Sequence, residues 1–192
     1  MSTERIRFKL QSVGPLLMNG SRLADPLDPD AIKLLAVTAK RKKTVADHRR
    51  IADIEWVGKL WTHEGRVCIP MDALEKAFEE AAKTRNGGAA LAAAVVVDEP
   101  AVLEYPGPTD LKKLAKREDF RFRKLVRVRR ALTPRTRPIF NEWSAVVNVT
   151  YLASVINREQ VVDFFGLAGS SVGIGDWRKK FGRFRIEEIP IC

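Results

Sequence analysis

Glu142-Trp143-Ser144-Ala145-Val146-Val147-Asn148-Val149-Thr150-Tyr151-Leu152 puts Trp143, Ala145, Val147, Val149 and Tyr151 on one side of an extended chain. Side chains along a strand alternate between faces, so this spacing describes a strand with one face in the core. Working outward, residues 158–165 read as a short amphipathic helix ended by Gly166 and Gly169, and a closing strand covers 182–189. At the other end, residues 5–13 form a strand in which Arg5, Arg7 and Lys9 alternate with Ile6, Phe8 and Leu10, ended by Gly14-Pro15. After Leu16-Leu17-Met18, Asn19-Gly20 signals a turn. Residues 61–69 read as a hairpin turning at His63-Glu64-Gly65. Pro70 then precedes a helix with a Leu74, Phe78, Ala82 stripe, which Asn86-Gly87-Gly88 is placed to end. Residues 93–97 and 101–105 are expected to pair around Asp98-Glu99-Pro100.

Strands at both ends, with two helices set between strands, predict an α+β fold: a ferredoxin-like βαββαβ sheet with helices on one face. Neither a repeat nor a linker is visible, so one domain is expected over 1–192, with 21–60 as an inserted helical arm. In that arm Asp28 and Pro29 suit an N-cap and first turn, and Thr44 can cap a second helix carrying Ile51, Ile54, Val57 and Leu60 at helical spacing.

Charge narrows the partners. The chain of 192 residues has 34 Lys and Arg against 24 Asp and Glu, a net +10. Such a balance points to nucleic acid or an anionic membrane. Membrane attachment is not expected, since no apolar run nears the ~18–20 residues that span a bilayer and the N-terminus lacks the apolar core of a signal peptide. With only Cys68 and Cys192, a reduced, cytoplasmic setting is expected rather than a disulfide framework. From 110 to 140 there are 12 basic against 3 acidic side chains, a net +9. There Arg121, Arg123, Arg127 and Arg129 alternate with Phe122, Val126 and Val128, although Leu125 falls on the arginine face and Lys124 on the apolar one. Together with the first strand, this gives two strands with a basic outer face, as a nucleic-acid-binding sheet requires if they share a sheet. Lys40, Arg41, Lys42 and Lys43 in the arm, and Arg135 and Arg137, extend the basic set.

The remaining candidate is Val172-Gly173-Ile174-Gly175-Asp176-Trp177-Arg178-Lys179-Lys180-Phe181-Gly182-Arg183-Phe184. Glycine tolerates positive φ and leaves no Cβ in the way, so such a loop can bring backbone N–H groups to a phosphate. Arg178, Lys179, Lys180 and Arg183 would hold the anion, and Trp177, with Phe181, would stack on bases. The competing reading is a glycine-rich hairpin whose basic residues are merely solvated.

The pattern Gly173-Ile174-Gly175, a basic spacer and Phe181-Gly182-Arg183-Phe184 resembles the C-terminal glycine-rich loop of RAMP proteins, the RNA-binding ferredoxin-like subunits of CRISPR effector complexes. Val67-Cys68-Ile69-Pro70 ahead of a helix resembles that family's helix start, departing from it at Met71-Asp72-Ala73. Pro15-Leu16-Leu17-Met18, Arg41-Lys42-Lys43-Thr44, Arg135-Thr136-Arg137-Pro138-Ile139-Phe140 and the 173–184 loop together resemble a set found in bacteriophage proteins of unassigned function. The resemblance implies a RAMP-like backbone-subunit fold, phosphate contacts from Gly173, Gly175, Gly182 and the basic sheet residues, a thumb-like role for the arm, and head-to-tail assembly.

Catalysis is not expected. His48 and His63 are the only histidines, no spacing suits a metal, and no Ser-His-Asp or phosphate-loop signature is present. The reading is a non-enzymatic protein without cofactor that coats single-stranded DNA or RNA as a homo-oligomer, in the host cytoplasm if phage-encoded. The alternatives are a basic protein docking on an acidic partner, and a metal-independent RNA endonuclease using His48 or His63.

Overall fold

The computed structural model describes residues 2–85, 88–128 and 131–191. In chain order the elements are β1 (Thr3–Ser12), β2 (Leu16–Leu17), α1 (Pro29–Thr38), α2 (Val45–Lys59), β3 (Thr62–His63), β4 (Arg66–Ile69), α3 (Met71–Thr84), α4 (Gly88–Ala92), β5 (Val95–Val97), β6 (Ala101–Glu104), α5 (Leu111–Leu114), β7 (Arg121–Val128), β8 (Ala131–Phe140), β9 (Ser144–Leu152), α6 (Arg158–Leu167) and β10 (Phe184–Glu188). The fold is α+β with antiparallel sheets. The chain divides into two compact units, one of 1–16, 62–106 and 140–192, the other of 17–61 and 107–139. The expected insertion, 21–60, falls in the second unit, along with most of the basic segment.

The first unit is built on a sheet in the order β10-β1-β9-β6-β4-β3, with β5 also paired to β9. Ile6, Phe8 and Leu10 of β1 lie opposite Val149, Val147 and Ala145 of β9, and all six are buried. That is the alternation expected of both strands. Helices α3 and α6 pack through Phe78, whose ring lies 5.7 Å from Phe164 and 4.9 Å from Phe165; Phe165 is in turn 5.2 Å from Phe8. Burying each of these side chains is worth roughly 1.5–3 kcal/mol. The β3–β4 turn has Glu64 and Gly65 at φ 48° and 76°, the left-handed pair a two-residue hairpin demands. Asn157 and Gln160 form a capping box at the start of α6.

Two expectations are corrected here, and a third falls on residues the structure does not describe. β5 and β6 do not pair with each other; both lie along β9, at 149–151 and at 144–145, as one interrupted strand. Asp98 takes part in that line through its N–H to Asn148 O at 2.9 Å. Helix α6 runs through Gly166, continues as a π-helical turn Ala168–Val172 and ends at Gly173, whose φ of 75° supplies the stop. The helix end at Asn86-Gly87 lies outside the described residues; Gly88 opens α4.

The second unit is organised by α2 against the β7–β8 hairpin. Asp28 caps α1 by accepting from the N–H groups of Asp30 and Ala31, and Thr44 forms a capping box with Asp47 at the head of α2. The buried face of α2 is Ala52, Ile54, Glu55, Trp56 and Gly58, with Leu60 just beyond. Val57, expected in the apolar stripe, is 39% exposed. Polar bonding shifts the stripe: Trp56 Nε1 donates to Phe120 O at 2.8 Å, and Glu55 accepts from Arg135 Nη1 at 2.6 Å and Thr136 N at 2.8 Å. Gly58 is required by packing, since a Cβ there would sit 2.4 Å from Leu23 Cγ.

Strand β8 runs through Pro134 and Pro138, neither of which has an N–H to give a neighbouring strand. Pro138 O accepts from Met18 N at 3.0 Å, so this side of β8 faces away from β7. Both prolines share that side by parity, where no N–H is owed to β7. Thr136, between them, has its N–H bonded to Glu55 and its carbonyl to Lys59 Nζ at 3.3 Å, so α2 side chains continue the ladder.

Candidate nucleic-acid interface

Charge is partitioned between the two units. Over the sequence, the second unit carries 21 basic against 9 acidic side chains, a net +12, and the first 13 against 15, a net −2. The two arginine-bearing strands, expected to be useful if they shared a sheet, lie in different ones: β1 in the large sheet, β7 in the sheet ordered β2-β8-β7. The open face of β1 is also mixed in sign. Lys9 lies opposite Glu187, and Asn148, opposite Arg7, donates to Glu99 Oε1 at 2.9 Å.

Within the second unit the basic residues separate into tied and presented groups. Arg121 donates to Asp53 Oδ1 at 2.7 Å and to Ala115 O, and its guanidinium lies 5.8 Å from the Trp56 ring. Arg135 is bound to Glu55, and Arg137 is half-buried on the Phe122 face of the hairpin. Arg121 and Arg135 hold the hairpin on α2. Arg123 and Arg127 are exposed, on the face they share with Leu125. Arg129 lies outside the described residues.

In the α1–α2 connection, Lys40 Nζ reaches Asp47 Oδ1 at 2.5 Å and Lys43 Nζ donates to Lys40 O at 2.7 Å. The Lys40 ammonium, with the N–H and hydroxyl of Thr44, holds the Asp47 carboxyl far below the usual carboxylate range. Arg41 and Lys42 point outward from this closed turn and are exposed.

In the first unit the glycine loop is a tie in the fold more than a cradle. Ile174 N donates to Gly182 O at 3.0 Å, Gly182 N to Pro15 O at 2.7 Å and Gly173 N to Ala168 O at 2.7 Å. A Cβ on Gly182 would stand 1.7 Å from Ile174 O, and one on Gly173 2.8 Å from Phe181 O. Two backbone runs therefore cross here, and both glycines are buried with their N–H groups already used. Phe181 is 8% exposed, so its ring is closed to a base. Trp177 is half-buried, tilted on Phe181 with centroids 6.1 Å apart. Arg178 Nη1 donates to Glu80 Oε1 at 2.8 Å, and Arg183 donates to Ser170 O. Lys179 and Lys180 are exposed, held out by a turn in which Trp177 and Lys179 take φ of 49° and 74°; Gly175, at 82°, is half-buried.

Of the histidines, His63 is in the exposed β3 end beside Glu64. His48 lines a cleft of about 390 Å³ with Arg123, Lys124, Leu125 and Pro134, a setting no sequence pattern indicated. Cys68 is buried, and burial pushes its thiol pKa up, away from reactivity. Among the described residues no group of three or more His, Cys, Asp or Glu could hold a metal, and no helix is long and apolar enough to cross a membrane. Presented, then, are Arg123, beside His48, and Arg127 on the same hairpin face in one unit, and Lys179, Lys180 and half of Trp177 in the other. No protein-family model matches this chain, and no curated protein matches it either.

Proposed function

We propose that this chain binds single-stranded nucleic acid through phosphate contacts, largely without sequence preference, and coats the strand as a homo-oligomer. The observation that carries the proposal is the partition of charge. One unit holds a net +12, and its exposed cations include Arg41 and Lys42 on a hydrogen-bonded turn and Arg123 and Arg127 on a paired hairpin. Phosphate contacts by exposed cations release counterions, which drives association. Lys179, Lys180 and Trp177 offer a smaller set in the other unit.

The ferredoxin-like part of the reading has its support in the strand order β10-β1-β9-β6. If β5 and β6 count as one strand, it is the order a βαββαβ chain with two crossing helices produces, and α3 and α6 supply the helices. The RAMP-like relationship, head-to-tail assembly and a cytoplasmic setting extend from that reading. Assembly draws further support from α1, where Ile32 and Leu35 are 55% and 69% exposed one turn apart.

Fluorescence anisotropy with labelled single-stranded DNA, RNA and duplex at two salt concentrations tests the proposal. Tight, cooperative, salt-weakened binding to a single strand is expected, with large particles in sedimentation of the complex. Absence of binding at low salt would remove the proposal and leave the basic surface to an acidic protein partner.

A further inference from the structure

The cleft beside His48 has a composition unlike the others. Its lining is His48 from α2, Arg123, Lys124 and Leu125 from β7, and Pro134 from β8, without a carboxylate. The cleft on the outer face of β1 includes Asp98 and Glu99, and the one beside the glycine loop includes Glu80. An anionic ligand meets like charge in those two and only cations here.

The register fixes what the cleft presents. Arg123 lies opposite Thr136, Leu125 opposite Pro134 and Arg127 opposite Leu132, so these share one face of the hairpin. Helix α2 covers the near end of that face, where Arg121 meets Asp53 and Thr136 meets Glu55. His48, a turn earlier in α2 than Ala52, stands where the helix leaves the hairpin and the face opens to solvent. Beyond it, Leu125 and Leu132 are 58% and 64% exposed. Leu125 and Pro134 lie between the two presented arginines and Leu132 lies across from Arg127, so apolar side chains kept in water form a platform of side-chain length along this face. The two arginines are four residues apart, about 13 Å along the strand, and each side chain is long enough to bend toward a phosphate beside a base seated between them.

We infer that this cleft is a nucleotide subsite: a base lies on Leu125 and the Pro134 ring, Arg123 and Arg127 take the phosphates on either side, and His48 closes the edge. The ligand class is one nucleotide of a single strand, since a base in a duplex has its faces covered by its neighbours and its edge by its partner. The site rests on the proposed function but adds a claim that reading does not make, that affinity comes from a base as well as from phosphates.

The test compares a labelled thymidine oligonucleotide with an abasic deoxyribose-phosphate strand of equal length and charge. Wild-type protein is expected to prefer the thymidine strand about fivefold or more. Leu125→Ser is expected to reduce that preference to about twofold or less, and Leu125→Trp, with a larger face, to widen it. Position 125 is exposed, and a widened preference cannot come from misfolding. If wild-type protein binds neither strand, the proposed function itself fails. If it binds both and all three proteins show the same preference, the coating reading stands and the subsite is overturned.

Discussion

Replacing Arg123 and Arg127 together by alanine is expected to alter the salt dependence of binding, whereas Arg135→Ala is expected to alter stability. Arg123 and Arg127 are exposed on the hairpin, and each phosphate neutralised on a single strand adds about 0.7 to the slope of log affinity against log salt. Two lost contacts lower the slope by about 1.4, so between about 50 and 200 mM salt the double variant loses roughly sevenfold less affinity than wild type. Arg135 is different, because its guanidinium lies 2.6 Å from Glu55, a residue 1% exposed. Removing it leaves Glu55 with Thr136 N–H and with Lys59 at 3.9 Å. The expected cost is about 2–3 kcal/mol, less than for a buried charge stripped of all partners. That is a fall in Tm of about 4–12 °C for a chain of this size, with the salt slope unchanged. Anisotropy titrations across a salt series, paired with thermal melts, read both quantities. An unchanged slope in a double variant that melts normally would refute the distinction between presented and tied arginines, as would a lowered slope in Arg135→Ala.

Gly182→Ala is expected to lose several kcal/mol of stability or fail to fold, since its Cβ would overlap Ile174 O at 1.7 Å and its φ is 71°; a melt within about 2 °C of wild type would show the crossing to be loose. Asp47 has its pKa depressed in the folded state by Lys40 and Thr44. As pH falls below about 4, the unfolded chain takes up that proton first. The stabilisation from Asp47 is therefore present above that pH and lost below it. Asp47→Asn should flatten the acid limb of a Tm-against-pH curve, and an identical limb in the two proteins would contradict the Lys40–Asp47 contact.

Alternation and capping are local physics, and they were legible in the sequence. The burial of Ala145, Val147, Val149 and Tyr151, the caps at Asp28 and Thr44, and the turn at Glu64-Gly65 each depend on neighbours a few residues away. The basic character of the chain was equally plain, because charge is counted rather than folded. Tertiary structure decided which of those charges face outward. Arg121 and Arg135 were indistinguishable from Arg123 and Arg127 in the sequence, and what separates them is carboxylates some 70–80 residues away, Asp53 and Glu55. The same holds for the glycines: three in a basic loop suit a phosphate, but Gly173 and Gly182 are spent on letting two backbone runs cross. Leu125, out of pattern on the arginine face, and His48, an ordinary helix residue, became meaningful only when α2 was laid beside the hairpin. A sequence records which side chains can bury and which can bind; only folding supplies the distant partner that consumes one arginine and leaves another for a ligand.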